Sequence, residues 1–230
     1  MGALDFSVVI EALPYLLQGL KFSALLTVIA FVGGLILGTF LALVIHFEIP
    51  LGAQLARAYV ALIRSVPLIM VLFWFFFLVP VTFGWLVGSS RPLPVGATWT
   101  AFITFTMFEA AYYCEIIRVG LRSVPRGQFE AAEALSLSRY HSYAYVVLPQ
   151  VFRTSAPIIL TQTIILFQDT SLVYVLSLTD LVGAASKVAQ LNGRLVEMYL
   201  SIAIVYFLIC FTASQCVSAL SHRVRARTTP

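Results

Sequence analysis

The chain has 230 residues, of which 60% are hydrophobic and only 10% are charged. Soluble domains carry about 25% charged residues, so this composition places the chain in a lipid bilayer and excludes an ordinary soluble enzyme. The net charge is +4; with no basic cluster beyond the C-terminal tail, it argues for topology and against nucleic acid as a partner.

A membrane-crossing helix needs about 20 apolar residues, which leaves room for about five crossings. The stretch Asp5 to Lys21 is mildly amphipathic and too short to span, which predicts an interfacial helix. The first fifteen residues hold Asp5 and Glu11 but no cation, unlike a signal peptide, so the first span is expected to be retained. The predicted spans run over roughly Phe22 to Phe47, Leu55 to Phe83, Ala97 to Gly120, Val151 to Leu178 and Leu195 to Leu220. Pro67 should kink the second and Pro157 the fourth, because proline lacks the amide that a helix interior uses. Gly33, Gly34 and Gly38 in "GGLILG" offer a small-residue face for close helix packing. Cys114, Cys210 and Cys216 lie in apolar stretches and form no C-x-x-C pair, so they read as small buried hydrophobes with no metal role.

Basic residues set orientation. One side would carry Arg57, Arg64, Arg118, Arg122, Arg126, Arg139, Arg153, Arg223, Arg225 and Arg227; the other would carry Lys21, Arg91, Lys187 and Arg194. This ten-to-four division places the N-terminus in the periplasm and the C-terminus in the cytoplasm. The segment of about 121–150 then becomes a cytoplasmic loop. In it, "QFEAAEAL" is made of helix formers, with Phe129, Ala132, Leu135 and Ser136 on one small apolar stripe. Glu130 and Glu133 are expected in its first turn, where carboxylates favour a helix N-terminus. Pro125 and Gly127 are expected to form the turn before it. Ser138 is placed to cap a second helix, "RYHSYAYVVLP", which Pro149 would limit. The stripe suits either a membrane surface or a soluble partner, and the two glutamates disfavour an anionic surface.

Four side chains stand out because ionisable and amide groups at membrane depth are costly, by about 2.5–3.5 kcal/mol for a central charge on insertion scales. Glu109 lies mid-way along the third span; Gln162, Gln168 and Asp169 lie in the fourth. Gln162 and Asp169 are seven apart and share a helix face. They suggest a polar path through the bundle. Thr170 and Ser171 can instead bond back to their own helix, so that a structural knot is the alternative at Asp169 and Thr170. Arg64 and Arg118 are the candidate cations beside that path, with a place near the cytoplasmic edge, where they would mainly serve topology, as the alternative. The chain has no P-loop, no H-E-x-x-H and no G-x-S-x-G. It also shows no inverted repeat of the kind found in many secondary transporters, the main alternative class.

The run Glu130, Ala131, Ala132, then Ser136, then Val146, Leu148 and Pro149 resembles the EAA loop of ABC importer permeases. The family usually has glycine where this chain has Ser136, which weakens the expectation of a tight turn there. "YLLQGLKFSALLTV", "AYVALIRSVPLIMVLFWFFFLVP", "EAAYYCEIIRVGLRSVPRGQ" and "LFQDTSLVYVLSLTDL" resemble the polar amino-acid branch over nearly the whole chain. Many members of that branch have Lys-Asp-Thr-Ser-Leu where this chain has Gln168 to Leu172. That variant and "FEAAYYCEIIR" are most similar to the permeases of glutamate/aspartate importers, with glutamine or a basic amino acid as the alternative cargo.

The resemblance implies a single all-α permease domain over 1–230 with the importer-permease fold. It implies that Phe129, Glu130, Ala131, Ala132, Leu135 and Ser136 form the coupling helix that docks on a separate ATPase dimer. ATP and magnesium belong to that partner, and this chain needs no cofactor of its own. A second permease subunit, which the resemblance favours as a homologue with a second copy of this chain as the alternative, and a periplasmic amino-acid-binding protein complete the expected assembly. Glu109, Arg118, Gln162, Gln168, Asp169 and Thr170 are the candidates for the substrate pathway.

Overall fold

A computed structural model describes residues 4–89, 91–92 and 95–226, and the described residues contain only helices and their connections. Ser90 and Arg227 fall outside them, as do the side chains of Arg223 and Arg225.

The chain opens with a five-residue helix, α1 (Ser7–Glu11), followed at once by α2 (Leu13–His46). The expected interfacial helix over Asp5 to Lys21 is therefore mostly the first turns of α2. Pro14 sits at the start of α2, where its missing amide is harmless, and no further proline interrupts the 34-residue helix. Next come α3 (Gly52–Arg64) and α4 (Leu68–Leu86). Pro67 does more than kink the second span. It takes an extended conformation (ψ 139°) at the cap of α4, so the span is broken into two helices with Arg64 at the break. Pro157, by contrast, is accommodated inside α8 (Leu148–Asp169).

Helix α5 (Ala97–Ser123) is the centre of the bundle. Leu13–His46, Leu68–Leu86, Arg139–Leu176 and Leu195–Ser221 are long and apolar enough to cross a membrane; α5 is long enough, about 40 Å at 1.5 Å per residue, but less apolar. Its surroundings explain this: Ala101, Phe105, Ala110, Ala111, Tyr113, Cys114 and Ile117 are wholly enclosed by other helices. Helix α2 lies along it in the same direction, with Phe22 stacked on Phe102 at one end. At the other end Gly38 meets Ala110, Tyr113 and Cys114. A Cβ on Gly38 would stand 2.7 Å from the Ala110 carbonyl oxygen and 2.9 Å from the Cys114 nitrogen, so only glycine permits this crossing. The opposite side of α2 (Leu25, Val28, Val32, Ile36, Phe40) is exposed and apolar, as a lipid-facing stripe must be.

Helix α8 runs antiparallel to α5, with Val151 and Ser155 beside Gly120 and Thr163 beside Tyr113. It continues as a 3-10 turn over Thr170–Leu176. Beyond it lies a helix that the span pattern misses, α9 (Leu181–Asn192), and then α10 (Leu195–Ala226). The local signals for α9 were present. Asp180 caps its start, accepting from the Val182 and Gly183 amides at 3.0 Å, and Gly193 ends it in the left-handed conformation at φ 66°. Arg194 pairs with Glu197 at 3.1 Å, and Glu197 accepts from the Asp5 amide at 3.2 Å, which ties the N-terminal segment to α10.

The loop helix and the intramembrane polar cluster

The loop after α5 holds α6 (Arg126–Ala134) and α7 (Arg139–His141). Pro125 caps α6, so Gly127 lies within its first turn, and Glu130 and Glu133 lie beyond it. Ser138 does cap α7, accepting from the His141 amide at 3.4 Å. Pro149 does not end that helix. The chain passes from α7 into a π-helical turn, Ser142–Val147, and then into α8, whose first turn accepts Pro149. The loop is thus continuous with the fourth span.

The expected exposed stripe is divided. Ala132 is buried (3% exposed), and Phe129 packs on Tyr143 of the π turn with ring centroids 5.8 Å apart. Glu130, Ala131, Glu133 and Leu135 face outward, Leu135 being 74% exposed. Gln150 donates to Gln128 of α6 at 3.0 Å, and the hydroxyl of Tyr143, on which Phe129 packs, meets His46 at the end of α2 at 2.8 Å.

The tight turn after α6 is kept despite the serine. Ser136 stands at φ 56° while its amide donates to Glu133 at 2.8 Å and the Leu137 amide donates to Ala132 at 3.1 Å, a Schellman-type stop. A non-glycine residue here pays about 1 kcal/mol. Ser136→Gly should therefore raise the Tm of the solubilised protein while uptake persists, and Ser136→Val should lower it. A Tm that falls with glycine would mean that the serine hydroxyl, and not the turn, matters.

Within the bundle, Glu109 is almost fully buried (1% exposed). Its Oε1 accepts from Gln162 Nε2 at 3.2 Å, and among the described residues its Oε2 has no hydrogen-bond partner. An unsatisfied buried acceptor costs about 1–3 kcal/mol, so a donor brought to Oε2 has something to gain. Tyr112, one turn along α5, is the hub. Arg64 lies over its ring at 5.4 Å, and Glu109 and Asp169 are both within electrostatic reach of it. Arg64 therefore sits at mid-height on α5, not at the cytoplasmic edge that its sequence position suggested. The break at Pro67 ends α3 there. Arg118 lies further along α5 and is ion-paired with Glu115, which also stands 3.9 Å from Arg64.

The other pathway candidates separate. Asp169 belongs with Glu109 and Gln162, as their shared helix face predicts. Gln168 points away, into clefts against α10 beside Tyr206 and Phe207. Thr170 is buried and donates to the Phe167 carbonyl at 2.7 Å, bonding back to its own helix. The sequence reading put Gln168 on the path and gave Tyr112 no role. One signal for Tyr112 existed: it is three residues from Glu109 and so on its face.

The arrangement offers two carboxylates, one amide donor and one loosely paired guanidinium around a tyrosine ring, on helices that all belong to the membrane. That set suits a small zwitterion. It has no nucleophile–base pair, and the described residues hold no cluster of three or more metal-ligating side chains.

Comparison with known proteins shows the family and the fold. Residues 34–226 match the family model described as the binding-protein-dependent transport system inner membrane component. The chain is 45% identical over 223 residues to the glutamate/aspartate import permease protein GltK of Escherichia coli O157:H7, covering 97% of this chain and 99% of that protein. It is 30% identical to the probable amino-acid permease protein YxeN of Bacillus subtilis, covering 91% of each. The crystal structure of an amino acid ABC transporter with histidines superposes with a TM-score of 0.84 at 27% identity, over 96% of this chain and 100% of that one. The MetNI methionine ABC transporter, at 19% identity and a TM-score of 0.68 over 90% of this chain and 97% of that one, shares the fold. This chain belongs to the family of binding-protein-dependent transport system inner membrane components.

Proposed function

We propose that this chain is the permease subunit of an ATP-driven importer whose cargo is glutamate or aspartate. The observation that carries the reading is the 45% identity, over nearly the full length of both chains, to a glutamate/aspartate import permease. The polar cluster supports it. The α-ammonium of an amino acid suits Asp169 and the unpartnered Oε2 of Glu109. Its carboxylates suit Arg64, whose nearest carboxylate among the described residues is 3.9 Å away, and the Gln162 amide.

The transport cycle follows from α8. This helix begins at the loop and carries Gln162 and Asp169 towards its far end, so it joins the docking surface to the polar cluster. We place Glu130, Ala131, Glu133 and Leu135 against a separate ATPase dimer that binds ATP and magnesium. Phe129 holds α6 on Tyr143, and Ala132 is buried on the same inner side, so movement of the loop is passed to the π turn and to α8. Hydrolysis is the ATPase's; this chain supplies the pathway. A periplasmic binding protein delivers the cargo, and a second permease subunit, a homologue, closes the pathway. The N-terminus is periplasmic and the loop cytoplasmic. In a cysteine-free background, Gln128→Cys should be labelled only from the cytoplasm and Ser89→Cys only from the periplasm.

The test of the whole reading is reconstitution with the ATPase, the second permease and the binding protein in liposomes. Glutamate and aspartate should stimulate hydrolysis and accumulate. Stimulation by glutamine or arginine alone would replace the acidic cargo with another polar amino acid, and accumulation without the ATPase would overturn the importer reading.

A further inference from the structure

We infer that a cleft between the end of α2 and the π turn is a binding site for an anionic phospholipid, one whose phosphate is held by Arg139 and whose acyl chain lies along Leu43 and Leu148. The cleft has a volume of about 370 Å³ and is almost wholly apolar apart from its arginine and tyrosines. That volume falls within the roughly 300–1,000 Å³ of small-ligand pockets.

Three observations select the occupant. The first is position. The cleft is bounded by the last turns of one membrane-spanning helix, Leu13–His46, and the first turns of another, Arg139–Leu176. It therefore opens at the level where headgroups meet hydrocarbon, and its apolar wall continues into the lipid-facing surface of α2. Tyr140 (75% exposed) stands at its mouth, and tyrosine favours that level.

The second is charge. The Arg139 guanidinium lies over the Phe47 ring at 4.7 Å, and among the described residues it has no ion pair with a carboxylate. Arg122 also has no ion pair there, and both arginines act on His46. Glu48, next to Phe47 in the chain, pairs with neither among the described residues. An unneutralised guanidinium in the lining of a lipid-facing cleft, with a second acting on the adjoining His46, complements a headgroup of net negative charge better than a zwitterionic or apolar one.

The third is the winding. Tyr143 and Leu148 are five apart, and a π turn brings residues at that spacing onto one face. His46 and Phe47 hold Tyr143 from the other side, at 2.8 Å and with ring centroids 4.7 Å apart. The π turn thus forms the wall of the cleft, and one function of its unusual winding is to build this site. The inference stands apart from the identity of the cargo.

The test is native mass spectrometry of the full chain in mild detergent, with added phosphatidylglycerol or phosphatidylcholine of the same acyl chains. Phosphatidylglycerol should be retained about fivefold better, the effect of one basic residue near an anionic headgroup. Arg139→Gln should remove the preference, and Arg139→Lys should keep it, which separates charge from folding. Leu43→Trp, which fills the cleft, should reduce retention of both lipids. Equal retention of the two lipids by the wild type, or an unchanged preference in Arg139→Gln, would overturn the site. So would an Arg139→Gln protein that loses the ATPase subunit while keeping the lipid preference, since the cleft would then belong to that partner.

Discussion

Ala132→Asp should abolish uptake by unfastening the loop from its own chain. Ala132 is 3% exposed on the inner face of α6, so a carboxylate there would be buried without a partner. Such a charge costs several kcal/mol, comparable to everything that holds a nine-residue helix in place. The expected result is normal membrane insertion, a lowered Tm, and no stimulated ATPase activity. Leu135→Ala is the companion substitution. Leu135 is 74% exposed, and surface changes typically alter stability by less than about 0.5 kcal/mol. It should leave the Tm unchanged and weaken capture of the ATPase. Capture and uptake that survive in both variants would remove the loop from the coupling role. A stable Ala132→Asp protein that fails only to dock would return Ala132 to the partner's interface.

Asp169→Asn should reduce acidic amino-acid uptake by about ten- to a hundredfold, the value of one hydrogen bond to a charged group. The loss should appear as a raised half-saturation for transport, with the assembly otherwise intact. Arg64→Gln should do the same and should also shift the preference towards neutral amino acids, because it removes the cation offered to the extra carboxylate. Gln168→Lys is the control. Its side chain enters the clefts against α10, so a lysine there should leave relative uptake of glutamate, aspartate, glutamine and arginine within about twofold, a change smaller than one ordinary hydrogen bond produces. A selectivity change at Gln168 with none at Asp169 or Arg64 would put the pathway on the α10 side of α8. No selectivity change at any of the three would leave selection to the binding protein or the second permease.

Sequence alone determined the membrane class, because a run of about 20 apolar residues has no other economical environment. It also determined the first loop helix and the identity of the costly intramembrane groups, but not that the second loop helix runs on through a π turn into α8. It carried the caps of α9 as well, in Asp180 and Gly193, although a search for long apolar runs passes over a helix of 12 residues. Which way each helix faces was decided only by tertiary structure. The stripe of α6 was visible as a pattern, but its inner partner, Tyr143, comes from a π turn that no local propensity announces. Gln168 and Asp169 are neighbours on α8 and so point about 100° apart, but which of the two directions meets α5 and which meets α10 depends on how α8 is packed. The meeting of Arg64 with Tyr112 depends on a break at Pro67 and on contacts between residues far apart in the chain. Periodicity records which residues share a face; it holds no information on what that face meets, since that depends on the packing of every other helix.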